Sequence, residues 1–91
     1  MGEEYNDDLR KKKFHQVVRG RIEQLCKAQG LTYYALAYRG TIPLTTLKHI
    51  IDGASKNPGA YTIMKICDGL GITLKEFFDT KEFEDVINEC D

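Results

Sequence analysis

Reactive side chains are few in this sequence, and their spacing does not suit catalysis. The thiols are Cys26, Cys67 and Cys90 and the imidazoles His15 and His49. His15 and Cys26 lie about three helical turns apart, too far to act together within one helix. There is no Ser-His-Asp or Cys-His-Asp arrangement, no phosphate loop and no pair of carboxylates on an expected cleft, so an enzyme is not expected. The cysteines are odd in number and lack C-x-x-C spacing, which argues against a disulfide framework or a zinc knuckle. They read as reduced thiols, with Cys26 and Cys67 as small core residues. No metal, cofactor or small-molecule ligand is expected.

What remains is cationic chemistry. The formal net charge of the 91 residues is -1, yet the charges are segregated. Residues 10–65 hold eleven Lys/Arg (Arg10, Lys11, Lys12, Lys13, Arg19, Arg21, Lys27, Arg39, Lys48, Lys56, Lys65) against the acids Glu23 and Asp52. The two ends are acidic: residues 1–9 carry four acids and no base, and residues 66–91 carry eight acids against Lys75 and Lys81. A basic middle is the electrostatic footprint of a phosphate-backbone binder, the alternative being a merely solvated surface.

The elements that must position these charges are helical. Phe14, Val17, Val18, Ile22, Leu25 and Cys26 recur at spacings of three and four, predicting a first helix that stops at Gly30 and turns His15, Arg19, Glu23 and Lys27 to its other face. Thr32 reads as the N-cap of a short second helix through Tyr38, and Gly40 lets the chain leave it. Pro43 suits the start of a third helix over about 43–52, with Leu47, Ile50 and Ile51 on its core side. Gly53 to Gly59 is a loop. A fourth helix carries Ile63, Ile66, Cys67 and Leu70 and ends at Gly71. Thr73 to Glu76 is a capping box opening a fifth helix with Leu74, Phe77 and Phe78 inward. Phe83, Val86, Ile87 and Cys90 continue at helical spacing.

The domain organisation expected is a flexible arm at 1–12, a helix-turn-helix domain at 13–79, and an acidic tail at 80–91 that forms a C-terminal helix. One core is all that this length supports. No stretch approaches the roughly 18 apolar residues of a membrane span. No signal-peptide apolar region follows Met1, and the residues after Gly2 lack the Ser/Thr of a myristoylation signal, so a cytoplasmic protein without a membrane anchor is expected.

Two consecutive short helices joined by a tight turn, with Leu36, Ala37, Ile42, Leu47 and Ile50 at fixed intervals, suggest a helix-turn-helix. The stretches RIEQLCKAQGLTYYALA, IPLTTLKHIIDG and KNPGAYTIMKICDGLGITLKEFF resemble the Cro/phage-repressor type of helix-turn-helix domain, the Xre family, over about residues 21–78. The resemblance implies an all-α, five-helix, phage-repressor-like DNA-binding domain whose third helix enters the major groove of double-stranded DNA.

It also implies site residues. Leu44, Thr45, Thr46, Lys48 and His49 fall in or beside the recognition helix. Thr45 and His49 are the best base readers, Leu44 suits a thymine methyl, and Lys48 suits a base or a phosphate. The alternatives are a packed helix residue for Thr46 and plain solvation for Lys48. Tyr33 stands where the family usually has glutamine and has a hydroxyl to offer a phosphate. Lys56 and Asn57 resemble backbone clamps, although Asn57 also suits a turn before Pro58. The basic run Arg10 to Lys13 suits phosphates or a minor groove, or else a solvated helix start.

Three departures limit the transfer. Thr41 replaces the usual turn glycine, with Gly40 before it, and Pro43 and Leu44 replace polar residues, so specificity is not inherited. The function expected is sequence-specific regulation of transcription by a homodimer on a two-fold site, with the fifth helix and tail as the dimer surface or else folded back on their own subunit. The rival is an antitoxin-like or regulatory protein-interaction module, favoured by Tyr33, Tyr34, Tyr38 and Leu44.

Overall fold

A computed structural model describes residues 7–54 and 58–88. Among these residues there are six helices and no strand: α1 (Asp7–Gln29), α2 (Tyr33–Gly40), α3 (Leu44–Asp52), α4 (Ala60–Leu70), α5 (Leu74–Phe78) and α6 (Lys81–Asn88). Their apolar stripes meet in one core. Val18, Ile22 and Cys26 enter it from α1, Leu36 and Ala37 from α2, Leu47 and Ile50 from α3, and Ile63, Ile66, Cys67 and Leu70 from α4. Ile42 fills the turn between α2 and α3, and Phe77 and Phe83 close the core from α5 and α6.

Helix α1 acts as a spine because its long side chains satisfy carbonyls that other helices leave without an intrahelical partner at their C-termini. Arg21 donates to Phe77 O at 2.9 Å and Glu76 O at 2.7 Å in α5. Gln29 donates to Leu70 O at 2.7 Å at the end of α4. Arg10 donates to Val86 O at 3.2 Å and Ile87 O at 3.4 Å in α6. These contacts correct the arm: residues 7–12, expected to be flexible, form the first turns of α1. Asp7 and Asp8 favour a helix start there through the helix dipole, and Lys11 pairs with Asp7 at 3.6 Å one turn away. Residues 1–6 of the expected arm and Cys90 lie outside the described residues.

Phe14, expected in the core stripe, is 38% exposed and lies against Phe83, ring centroids 5.8 Å apart. Phe83 in turn packs on Phe77 and Phe78 at 6.0 and 4.9 Å. The C-terminal helix therefore folds back on its own chain, burying Phe83 and Val86 and leaving Ile87 63% exposed. The capping box is formed, with Glu76 N–H donating to Thr73 Oγ1 at 3.0 Å and Thr73 N–H to Glu76 Oε1 at 2.9 Å.

The α2–α3 turn is where the observed geometry departs most from the expectation. Gly40 is the last residue of α2 and Thr41 takes the left-handed conformation, with φ 55. Thr41 N–H donates to Tyr38 O and Ile42 N–H to Ala37 O at 2.9 Å, the same paired termination that Gly30 gives α1 and Gly71 gives α4. Gly40 is needed for a different reason: a Cβ there would stand 2.5 Å from the backbone oxygen of Lys65. Gly69 answers from α4, its Cβ position lying 2.7 Å from Leu36 Cδ1 and 2.9 Å from Leu36 O. Two glycines thus let α2 and α4 approach almost backbone to backbone.

Candidate nucleic-acid interface

Leu47 and Ile50 anchor α3 in the core, and this decides which of its residues face outward. Thr45, Lys48, His49 and Asp52 follow at helical spacing along the opposite face and are all exposed; Thr46 is exposed on its flank. Leu44 is half-buried and packs against the core. Asp52 ties its carboxylate to Ala54, whose N–H donates to Oδ1 at 2.9 Å, so the C-terminal end of the stripe is acidic and locally fixed. A hydroxyl, an ammonium and an imidazole thus project side by side from a rigidly seated helix.

Thr32 caps α2, its hydroxyl accepting from Ala35 N–H at 3.0 Å. Helix geometry leaves the amides of Tyr33 and Tyr34 without intrahelical acceptors, a donor pair suited to an anion. Tyr33 is half-buried against the core. Burial first, then Glu23 and Cys26, raises its phenol above the ordinary value, so the hydroxyl keeps its proton and can donate. Lys56 and Asn57 lie outside the described residues.

The structure also sorts the cations, which sequence counting treats as equal. Arg10 and Arg21 are engaged at helix ends. Lys27 pairs with Glu23 at 3.6 Å, and Lys65 sits 5.3 Å from the centre of the Tyr61 ring. Among the described residues, Lys12, Arg19, Arg39 and Lys48 have no carboxylate partner. Cys26 and Cys67 are free and buried, and burial raises both thiols above their usual range. No group of three His, Cys, Asp or Glu among the described residues is placed to hold a metal ion.

A family model described as the Cro/C1-type HTH DNA-binding domain matches residues 21–82, more than half of the chain. The protein belongs to this family. Neither a curated protein nor a solved structure matches the chain. The Cro/C1-type match spans α2 to α5, the C-terminal part of α1 and the start of α6, and so contains the exposed α3 stripe and the capped start of α2. It assigns DNA binding, and the family is generally non-enzymatic. No helix among the described residues is long and apolar enough to cross a membrane.

Proposed function

We propose that this Cro/C1-type chain is a sequence-specific transcriptional regulator that reads double-stranded DNA with α3 in the major groove. The observation that supports this reading is the α3 stripe: Thr45, Lys48 and His49 are exposed together on a helix whose opposite face is locked by Leu47 and Ile50. Thr45 offers a donor and acceptor to a base edge, His49 an imidazole, and Lys48 a charge for guanine or a phosphate. The amides of Tyr33 and Tyr34, with the Tyr33 hydroxyl, hold a phosphate, and Lys56 and Asn57 clamp the backbone beyond α3. Leu44 and Thr46 border the stripe, Leu44 chiefly as a packing residue.

One domain reads too few base pairs for a unique genomic site, so the working form is a homodimer with half-sites about one helical turn apart. Because Phe83 and Val86 are buried within their own chain, Leu74, Phe78 and Ile87 are the exposed apolar residues that α5 and α6 offer a partner copy among the described residues. Tyr34 and Tyr38, 69% and 81% exposed, favour a second reading as a protein-interaction module.

Selection of duplexes from a random pool at near-physiological salt separates the two readings. A palindromic motif that disappears in Thr45→Ala/His49→Ala supports regulation through α3. Absence of enrichment from a folded protein overturns it in favour of the interaction module.

A further inference from the structure

The N-terminal turns of α1, residues 7–20, precede the family match. They carry a second concentration of positive charge. Lys12, His15 and Arg19 follow at spacings of three and four and therefore share one side of the helix. They line an open groove of about 810 Å³ that reaches from α1 past Gly53 to Val86 and Ile87. Arg19 brings this ridge to the recognition helix: its Nη1 lies 3.6 Å from where a Cβ on Gly53, the C-cap of α3, would stand.

Lys12 and Arg19 have no carboxylate partner among the described residues, in contrast to Lys27 on the same helix, which Glu23 neutralises. Lys11 also lines the groove but is paired with Asp7, and Asp8, one turn before Lys12, lines it without forming an ion pair to Lys12.

We infer that the α1 ridge Lys12, His15 and Arg19 is a second phosphate-binding surface, which grips the duplex backbone beside the base pairs that α3 reads. This rests on the DNA-binding reading above and extends it to residues outside the family match. Three features carry it: the two cations Lys12 and Arg19 without carboxylate partners on one side of the helix, continuity with the end of α3, and the position of both cations on an open groove. The imidazole of His15 is held below its ordinary value, by burial first and then by Arg19 and Lys11, so it joins the ridge as a neutral hydrogen-bonding group between the two cations. The ridge spans about 10 Å, and over that length of duplex axis one strand carries about three phosphates.

The test is the salt dependence of duplex binding by the full chain, measured by fluorescence anisotropy on the selected duplex. Removal of one lysine or arginine from a phosphate reduces the slope of log K against log salt by about 0.9. Lys12→Gln/Arg19→Gln should flatten the slope by about 2 while leaving the selected motif unchanged. Lys12→Gln alone, at an exposed position, should flatten it by about 1 and guards against a folding defect in the double variant. Lys75→Gln, on α5, should leave it unchanged.

If wild type binds and the ridge variants keep its slope, the ridge is overturned and the α3 reading stands. An equal flattening in Lys75→Gln also overturns the ridge, because the effect is then one of net charge. If wild type binds no duplex, the ridge and the α3 reading fall together.

Discussion

Between α2 and α4 the backbones meet, and between α1 and α6 they do not. At the first contact, Gly40 and Gly69 bring no side chain of their own between the helices, and a Cβ on Gly40 would stand 2.5 Å from Lys65 O. At the second, the contact is made by the rings of Phe14 and Phe83 and by Arg10 reaching the carbonyls of α6. A backbone contact has no rotamers with which to adjust, whereas rings and guanidinium groups do. The first joint fixes the helix from which the α2–α3 turn departs, and so the pose of α3. The second ties α6 to the core through Phe83, and it lies largely outside the residues that the family model matches.

The largest expected effect breaks the adjustable joint. Phe83→Ala removes a ring in contact with three others and should cost about 3–4 kcal/mol in chemical denaturation. If α6 is a separate joint, the folded fraction should still bind DNA with wild-type base preference. Loss of that preference at full folding would show that α6 helps to pose α3.

Gly40→Ala strikes the rigid joint. It should cost about 2–3 kcal/mol, since the obstructing atom is a backbone oxygen and not the end of a flexible side chain. Unlike Phe83→Ala, it should also weaken DNA binding by the folded fraction, because α2 and α3 must shift together. A destabilisation under about 0.5 kcal/mol, the range of an ordinary surface substitution, would mean that the helices separate easily and the contrast between the joints is wrong.

Thr41→Gly sharpens the comparison from the stabilising side. A β-branched residue with φ 55 is strained, and relief of that strain exceeds the extra freedom gained by the unfolded chain, so a gain of about 1 kcal/mol is expected. Thermal denaturation would show it as a raised midpoint. An unchanged or lowered midpoint would imply that the threonine side chain contributes at that corner.

The smallest effect is electrostatic. Because the folded-state value of His15 is lowered from 6.5, the unfolded chain binds this proton at higher pH than the folded chain does. The stability contribution is present above 6.5 and is lost as the pH falls through the folded value. His15→Gln should flatten the stability profile just below pH 6.5, and a profile identical to wild type would remove His15 as a source of the slope.

Much of the helical framework was legible locally. The terminations at Gly30, Gly53 and Gly71, the cap at Thr32 and the box at Thr73 and Glu76 each involve residues a few positions apart, so their physics is written in short words of sequence. The outward turn of Thr45, Lys48 and His49 follows equally from a 3.6-residue period once Leu47 and Ile50 are recognised as apolar anchors. The resemblance to the Cro/C1-type family was readable from the same words.

What escaped the sequence depended on partners far along the chain. That Arg10 and Arg21 cap other helices follows from carbonyls 76 and 56 positions away, and without them the basic run reads as a loose arm or an undivided reservoir of charge. Gly40 looked like the turn residue, but its backbone conformation was never the issue; the chain of α4 passes where its side chain would be. With Gly40 held in the helix and Ile42 drawn into the core, Thr41 had to take the left-handed corner. Composition and periodicity determined which segments are helices and which faces are apolar, because those are properties of neighbours in the chain. Tertiary structure decided which cations remain open to a phosphate and where Arg19 meets α3, because only the packing of distant segments brings those charges and carbonyls within reach.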